Sequence, residues 1–178
     1  GEVRKEHQSD NVWKENIRST LDAAVSRQLV SDRPVGVFLS GGVDSSAVLA
    51  SVVRAQGTAR TYTTHFEVSS SGENEIFNRD AELARRTASF FGAHHTEITL
   101  QNKDIISLFE KSVWQLDEPS GSATALAQLA LARETARDVA VVLGGDGGDE
   151  LFGGYERYRL NRIMDLYQKL PRALRARL

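Results

Sequence analysis

The chain has no cysteine, little net charge and no long apolar run. Without cysteine, disulfides and thiolate metal sites are excluded, and nothing indicates an oxidising compartment. The formal net charge of −2 gives no reason to expect general nucleic-acid binding. No apolar stretch approaches the ~18 residues of a transmembrane helix, and the N-terminus lacks a signal-peptide core. These absences predict a soluble cytoplasmic protein that binds neither membranes nor nucleic acids.

The 178 residues are enough for one domain with a substantial core. Residues 1–10 are polar and predict a linker or the cut edge of a longer chain. The domain itself is predicted to span 11–170, and the basic stretch 171–178 to be a truncated tail.

Within the domain, short apolar strands alternate with amphipathic helices. This alternation predicts an α/β fold, a doubly wound parallel sheet with helices on both faces. Right-handed crossovers that build the sheet outward in one direction and then reverse give the strand order 3-2-1-4. Strands are predicted at 35–39, 60–67, 95–100 and 139–143, and helices at about 11–30, 44–56, 77–91, 105–113, 123–137 and 155–170.

A first glycine-rich loop, Ser-Gly-Gly, follows strand one and leads into a helix that begins Val43-Asp44-Ser45. Glycines let the backbone approach an anion closely, and the N–H groups of residues 43–46 at the helix start favour phosphate. No lysine follows, so this is not the GxxxxGK[ST] loop of kinases. Asp44 suits an Mg²⁺ ion bridging phosphates. A pyrophosphate-binding loop is therefore expected; a strand–turn–helix connection with Asp44 and Ser45 as caps is the alternative.

A second glycine-rich loop follows strand four over residues 144–154 and carries three acids. Crowded acids repel one another unless a cation or a cationic substrate shares the site. The spacing is not that of a calcium loop, and the apolar pair Leu151 and Phe152 is expected to be buried. With the order 3-2-1-4, both loops follow neighbouring strands at the reversal, where ligands bind. The two loops are therefore expected to border one crevice.

Together, SGGVDSS at 40–46 and GGDGGDELFGGY at 144–155 resemble the synthetase domain of glutamine-dependent asparagine synthetases. The first motif alone indicates only the wider ATP-pyrophosphatase group, and the second narrows it to this family. The resemblance covers about 11–170, nearly the whole chain. It implies an adenine-nucleotide alpha-hydrolase-like fold with the same strand order.

The resemblance implies a ligase that cleaves ATP between its α and β phosphates, with Mg²⁺ as cofactor. A carboxylate, aspartate first among candidates, would be adenylated with release of pyrophosphate. Ammonia from a glutaminase domain, absent from this chain, would then displace AMP and leave an amide. Related enzymes that adenylate another carboxylate (amidotransferases, β-lactam synthetases, peptide cyclases) are the alternative. A nucleotide-binding module without turnover is the alternative of another class.

The resemblance also implies roles for single residues. Gly145 is expected near the adenylate, and Asp146 is the expected catalytic residue on the amine side. Asp44 and Asp149, one from each loop, are the expected Mg²⁺ ligands. Valine at Gly41 is expected to disturb nucleotide binding much more than folding. The residues expected to hold the departing pyrophosphate are Ser40, Gly41, Gly42, Asp44 and Ser45.

Outside the loops, Trp13 and Trp114 are expected in the core, and His65 is expected to point to solvent. His94 and His95 are consecutive on a strand, so they should face opposite sides rather than form a metal pair. Family members carry flanking parts that this chain lacks. It is therefore expected to fold without completing the reaction alone, and to self-associate through its last helix as a homo-oligomer.

Overall fold

The computed structural model describes residues 9–67, 78–169 and 175. The chain divides into two compact units, 1–145 and 146–178, and each is described by itself. In chain order the elements are α1 (Asp10–Gln28), β1 (Val35–Phe38), α2 (Val43–Gln56), β2 (Arg60–Phe66), α3 (Arg79–Phe90), β3 (His94–Leu100), α4 (Asn102–Leu116), α5 (Ala123–Thr135), β4 (Val141–Leu143), α6 (Gly148–Phe152) and α7 (Glu156–Lys169).

The four strands form one parallel sheet in the order β3-β2-β1-β4. The predicted fold class and strand order are confirmed. β4 begins two residues later than predicted because the Val139 N–H donates to the Thr135 carbonyl at the end of α5. The short helix α6 lies where only a loop was expected. The predicted start of the third helix at Phe77, and all of the tail except Arg175, lie outside the described residues.

Helices cover both faces of the sheet, because each face of the buried strands carries apolar side chains. α1, α2 and α3 cover one face, where Val37 and Leu39 of the β1 segment meet side chains such as Leu49 and Ala84. α4 and α5 cover the other, where Tyr62 packs with Leu131. Both clusters belong to the unit 1–145. In the second unit, no residue whose side chain the structure describes is buried.

Asn78 holds the carboxyl end of β2. The Phe66 N–H donates to Asn78 Oδ1 at 2.7 Å, and Asn78 Nδ2 donates to the Phe66 carbonyl, also at 2.7 Å. The pairing of β1 with β2 ends at Tyr62. The Asn78 side chain therefore forms hydrogen bonds with a part of β2 that lies beyond the end of β1. Asn78 is itself 7% exposed, and the end of β2 is thereby fixed immediately before α3.

Both tryptophans are exposed, so their prediction as core residues is wrong. Trp13 is 43% and Trp114 is 78% exposed. Trp13 lies in the first turn of α1, whose only fully buried residue is Val25, three turns later. Trp114 lies six residues after buried Leu108, about two-thirds of a turn further around the α4 axis, so it does not share the direction of that buried side chain.

A polar cluster lies between α3 and the sheet. Glu97 of β3 accepts two hydrogen bonds from Arg85 of α3, from Nε at 2.7 Å and from Nη2 at 2.8 Å. His65 Nδ1 lies 4.0 Å and His95 Nε2 lies 3.8 Å from this carboxylate. Both nitrogens are buried without a hydrogen-bond partner. His65 therefore does not point to solvent as predicted, because its ring is drawn toward Glu97.

His95 is held in its neutral form by its surroundings. Its side chain is 10% exposed, and its Nδ1 lies 2.8 Å from Thr61 Oγ1. Thr61 Oγ1 also contacts the His94 carbonyl at 3.4 Å, so the threonine links the His95 ring to the backbone of β3. Burial lowers the pKa of the His95 imidazole, nearby Arg85 lowers it further, and Glu97 opposes the shift. His94, the neighbouring residue, is exposed.

We expect the free energy of unfolding to fall as the pH drops from 7.5 to 5.5, because of His95. Folding lowers the pKa of the His95 imidazole. Below the ordinary histidine pKa of about 6.5, the unfolded chain therefore binds a proton more readily than the folded chain does. The stability is therefore present above that pH and lost below it. Urea unfolding at several pH values measures the slope, which His95→Gln should reduce. Equal slopes in the wild type and in His95→Gln would contradict this assignment.

Membrane-spanning helices and clusters of metal ligands are both absent from the described parts of the chain. No helix among residues 9–67 and 78–169 is both long and apolar enough to cross a bilayer. In the same ranges, no group of three or more His, Cys, Asp or Glu side chains could hold a metal ion.

Candidate anion-binding site

The first glycine loop lies at the carboxyl edge of the sheet, next to the reversal between β1 and β4. The chain stays anchored to the sheet up to Leu39, whose N–H donates to the Tyr62 carbonyl at 2.9 Å and which is 2% exposed. Ser40 is the first exposed residue after it. The loop therefore starts from a rigid strand end, which fixes its position relative to β4.

Two serine hydroxyls brace the loop from within. Ser40 N–H donates to Ser45 Oγ at 3.3 Å, and the two hydroxyls lie 3.1 Å apart. Ser45 Oγ donates to the Gly42 carbonyl, and the Gly42 N–H donates to Ser40 Oγ, each at 3.3 Å. Ser45 is only 6% exposed. The Ser45 hydroxyl is thus engaged in hydrogen bonds within the loop. The group of Ser45 that could bind a ligand is its backbone N–H.

The N-terminus of α2 has no side-chain cap. Gly42 is the N-cap residue, and no side chain in the described part of the chain accepts a hydrogen bond from the first turn. The first N–H bonded within the helix is that of Ser46, which donates to the Gly42 carbonyl at 3.1 Å. The predicted donor set of residues 43–46 is therefore shortened to Val43, Asp44 and Ser45. Three uncapped N–H groups at the positive end of a 14-residue helix form a site suited to an anion.

Gly41 is required by its contact with α3. Its φ of +74° is in the left-handed region, and a Cβ at this position would lie 2.5 Å from the carbonyl carbon and the Cβ of Leu83 and 2.6 Å from the Ala84 nitrogen. The expectation that valine here would disturb nucleotide binding much more than folding is therefore wrong. A side chain would collide with helix backbone, which cannot move aside cheaply.

The two glycine loops meet at Gly145. A Cβ on Gly145 would lie 2.6 Å from the Ser45 nitrogen and 3.0 Å from the Asp44 carbonyl carbon, so the backbone of the second loop lies directly against the first turn of α2. The contact falls within the unit 1–145, next to the pairing of β1 with β4. The expected approach of the loops is confirmed up to this residue.

Asp44 can contribute a carboxylate at the same place. It is half-buried in the first turn of α2, and no described side chain forms an ion pair or hydrogen bond with it. Mg²⁺ is typically held by one or two carboxylates together with phosphate oxygens and water, not by a complete protein cage. A single uncommitted carboxylate beside three uncapped N–H groups fits a magnesium–phosphate ligand.

In the second unit, the three acids differ in what surrounds them. Tyr155 OH donates to Glu150 Oε1 at 2.6 Å, which lowers the pKa of the Glu150 carboxyl and raises the pKa of Tyr155. The Arg157 guanidinium lies 4.2 Å from the centre of the Tyr155 ring. Glu150 is therefore committed to local structure, whereas Asp146 and Asp149 have no such partner among the described residues.

The apolar pair of the second loop is not buried. Leu151 is 81% and Phe152 is 64% exposed, so the expectation of burial is wrong. They are the last two residues of the five-residue helix α6, whose C-cap is Gly153. The described part of this unit consists of α6 and α7, with too little apolar structure to enclose them. On α7, Leu160 and Met164 are also exposed.

The chain was compared with known proteins. A family model described as asparagine synthase matches residues 16–178. The chain belongs to the asparagine synthase family. The resemblance drawn from the two motifs is thereby confirmed.

Three relatives show how much of this chain, and how much of their own length, the similarity covers. A Mycobacterium tuberculosis protein provisionally named asparagine synthetase [glutamine-hydrolyzing] is 35% identical over 94% of this chain and 24% of its own length. Asparagine synthetase [glutamine-hydrolyzing] 1 of Bacillus subtilis is 30% identical over 94% of this chain and 25% of its own length. Amidase chry2 of Gibberella zeae is 31% identical over 90% of this chain and 25% of its own length. The chain thus spans about a quarter of the curated relatives that it matches.

Two features of this asparagine synthase family chain were missed from its sequence. The packing of Gly41 on Leu83 joins residues 42 positions apart, and no local pattern predicts it. The pairing of Glu150 with Tyr155 had a usable signal, because both lie in the second motif only five residues apart. Counting that pair would have reduced the three candidate acids to two.

Proposed function

We propose that the protein is an ATP-dependent, amide-forming ligase whose nucleotide site includes the first glycine loop. A carboxylate, aspartate first among candidates, attacks the α-phosphorus of ATP and releases pyrophosphate. Ammonia, supplied in the whole protein by hydrolysis of glutamine, then displaces AMP and leaves an amide. The observation that carries this proposal is the uncapped N-terminus of α2 with Gly145 packed against it.

The residues of the first loop account for binding of the pyrophosphate. The N–H groups of Val43, Asp44 and Ser45 are available donors. N–H groups at the start of a helix carry partial positive charge, which favours binding of phosphate. The braced hydroxyls of Ser40 and Ser45 keep the loop in one conformation before the ligand arrives. Donors fixed in advance need no reorganisation as charge shifts onto the leaving group. Gly41 and Gly42 contribute the loop backbone, and Gly145 is proposed to lie near the adenylate.

Asp44 and Asp149 are proposed as Mg²⁺ ligands, because each is a carboxylate that no described side chain neutralises. Mg²⁺, when bound, supplies charge neutralisation on the phosphate oxygens. Asp146 is proposed to accept or orient the proton of the attacking amine. As the first residue of the second unit, it directly follows Gly145, the residue that contacts the helix start.

A second candidate is an enzyme that adenylates a different carboxylate and releases an amide other than asparagine. The Gibberella zeae relative carries the name amidase and is about as similar to this chain as the Bacillus subtilis asparagine synthetase. The residues of the first loop would act in the same way, because they contact only the nucleotide. The two candidates therefore differ only in which carboxylate substrate is adenylated.

Exchange of labelled pyrophosphate into ATP tests the proposal. We expect a full-length protein that carries this chain to catalyse the exchange only when its carboxylate substrate is present. Exchange with aspartate alone supports asparagine formation, and exchange with another carboxylate alone supports the second candidate. Absence of exchange with every carboxylate, in a protein that binds Mg·ATP, contradicts the ligase and favours a binding module without turnover.

A further inference from the structure

Gly154 lies directly against the carboxylate of Asp149. A Cβ built on Gly154 would lie 1.9 Å from Asp149 Oδ1 and 3.0 Å from its Cγ. The Gly154 N–H also donates to the Asp149 carbonyl at 3.0 Å. The chain after α6 therefore folds back over Asp149, and the space where a side chain would start is filled by a carboxylate oxygen.

Space, and not backbone conformation, excludes a side chain here. The preceding residue, Gly153, has a φ of +68°, which favours glycine, but Gly154 is not among the residues with positive φ. The next nearest atom to the built Cβ is the Asp149 Cα at 3.4 Å, an ordinary contact. An alanine at 154 would thus fit if the Asp149 carboxylate rotated away, and it would not fit otherwise.

Nothing else described fixes the direction of this carboxylate. Glu150, the next residue, is held by the Tyr155 hydroxyl, whereas no described donor or cation binds Asp149. The rotamer that Asp149 adopts is therefore open to it only because residue 154 has no side chain. A carboxylate that must meet a ligand in one direction gains from being held in that direction beforehand.

We propose that Gly154 is a positioning residue for Asp149, keeping its carboxylate in the direction in which it meets a divalent cation. The cation part of this inference rests on the proposed function, and the contact itself does not. Gly154 touches neither nucleotide nor substrate in this proposal. It acts through Asp149 alone, so its replacement should have no functional effect once the Asp149 carboxylate is removed.

A double-mutant cycle tests the contact without any ligand. Gly154→Ala, Asp149→Ala and the double variant are compared in urea unfolding of the chain, with Gly121→Ala as control because no atom lies within 4 Å of a Cβ there. We expect Gly154→Ala to lower the urea midpoint of unfolding more when it is introduced into the wild type than when it is introduced into the Asp149→Ala variant. Equal shifts on both backgrounds would overturn the inference.

The dependence of ATP binding on Mg²⁺ concentration tests the functional part. We expect Gly154→Ala to raise the Mg²⁺ concentration at half-saturation about tenfold, as loss of a supporting contact to a metal ligand does. On the Asp149→Ala background it should change nothing. An unchanged Mg²⁺ midpoint in Gly154→Ala, where Asp149→Ala does shift it, would overturn the positioning role. If Asp149→Ala itself left the Mg²⁺ midpoint of ATP binding unchanged, the proposed function would be contradicted instead. The urea unfolding cycle would still test the contact between Gly154 and Asp149.

Discussion

Replacing Gly41 by valine is expected to lower the free energy of unfolding by about 3 kcal/mol or more. The φ of +74° costs a residue with a Cβ about 1–2 kcal/mol. The collision with the Leu83 and Ala84 backbone adds an overpacking cost of about 1–3 kcal/mol. Both costs fall on the cluster in which Leu39, Leu49 and Ala84 are buried, so the whole first unit should be destabilised.

Urea unfolding of Gly41→Val and Gly42→Ala measures this effect with a control from the same loop. Gly42 has a φ of −67°, and a Cβ there would meet only Ser40 Oγ, at 3.3 Å. Gly42→Ala should therefore unfold close to the wild type. A Gly41→Val variant with the wild-type midpoint would show that α3 does not rest on the loop.

Changing Asp44 to asparagine is expected to weaken Mg²⁺-dependent binding of ATP about tenfold or more, because a charged metal ligand becomes neutral. The change keeps the size of the side chain and leaves the N–H groups of the α2 N-terminus in place. Binding of ATP without Mg²⁺ should therefore change less, since it depends on those N–H groups. Calorimetric titration at several Mg²⁺ concentrations separates the two effects.

Asp32→Asn is the matched control for Asp44→Asn. Asp32 is an exposed acid three residues before β1, at the opposite edge of the sheet from the glycine loop. Its loss changes the net charge equally and should not change the Mg²⁺ dependence. If Asp44→Asn and the wild type bound ATP equally at every Mg²⁺ concentration, Asp44 would be removed from the proposed site.

The sheet order could be predicted from the sequence because each strand is a short apolar run followed by an amphipathic helix, and crossover handedness leaves few topologies. The position of both glycine loops followed from that order. The meeting of the loops at Gly145 is the direct outcome, since β1 and β4 are neighbours. These features depend on local patterns and on chain direction, both of which a sequence displays.

What the sequence did not reveal depends on contacts between distant residues. Gly41 was interpreted through its neighbours as a phosphate contact, whereas its conformation is required by α3. His65 was expected to point to solvent, whereas Glu97 lies across the β2–β3 pairing, and no local pattern indicates that contact. Trp114 was assigned to the core on its apolar character, which gives no information on the direction it faces.

The three atoms of α3 nearest to a Cβ built on Gly41 are ones that every residue except glycine possesses. The atoms nearest to the built Cβ are the carbonyl carbon and Cβ of Leu83 and the nitrogen of Ala84. The closest part of this contact therefore depends on where the helix axis runs and not on what lies beyond the Cβ of residue 83. A ligand or partner that slid α3 along the sheet would reshape the loop, whereas a substitution at position 83 that keeps the helix would leave these three atoms in place.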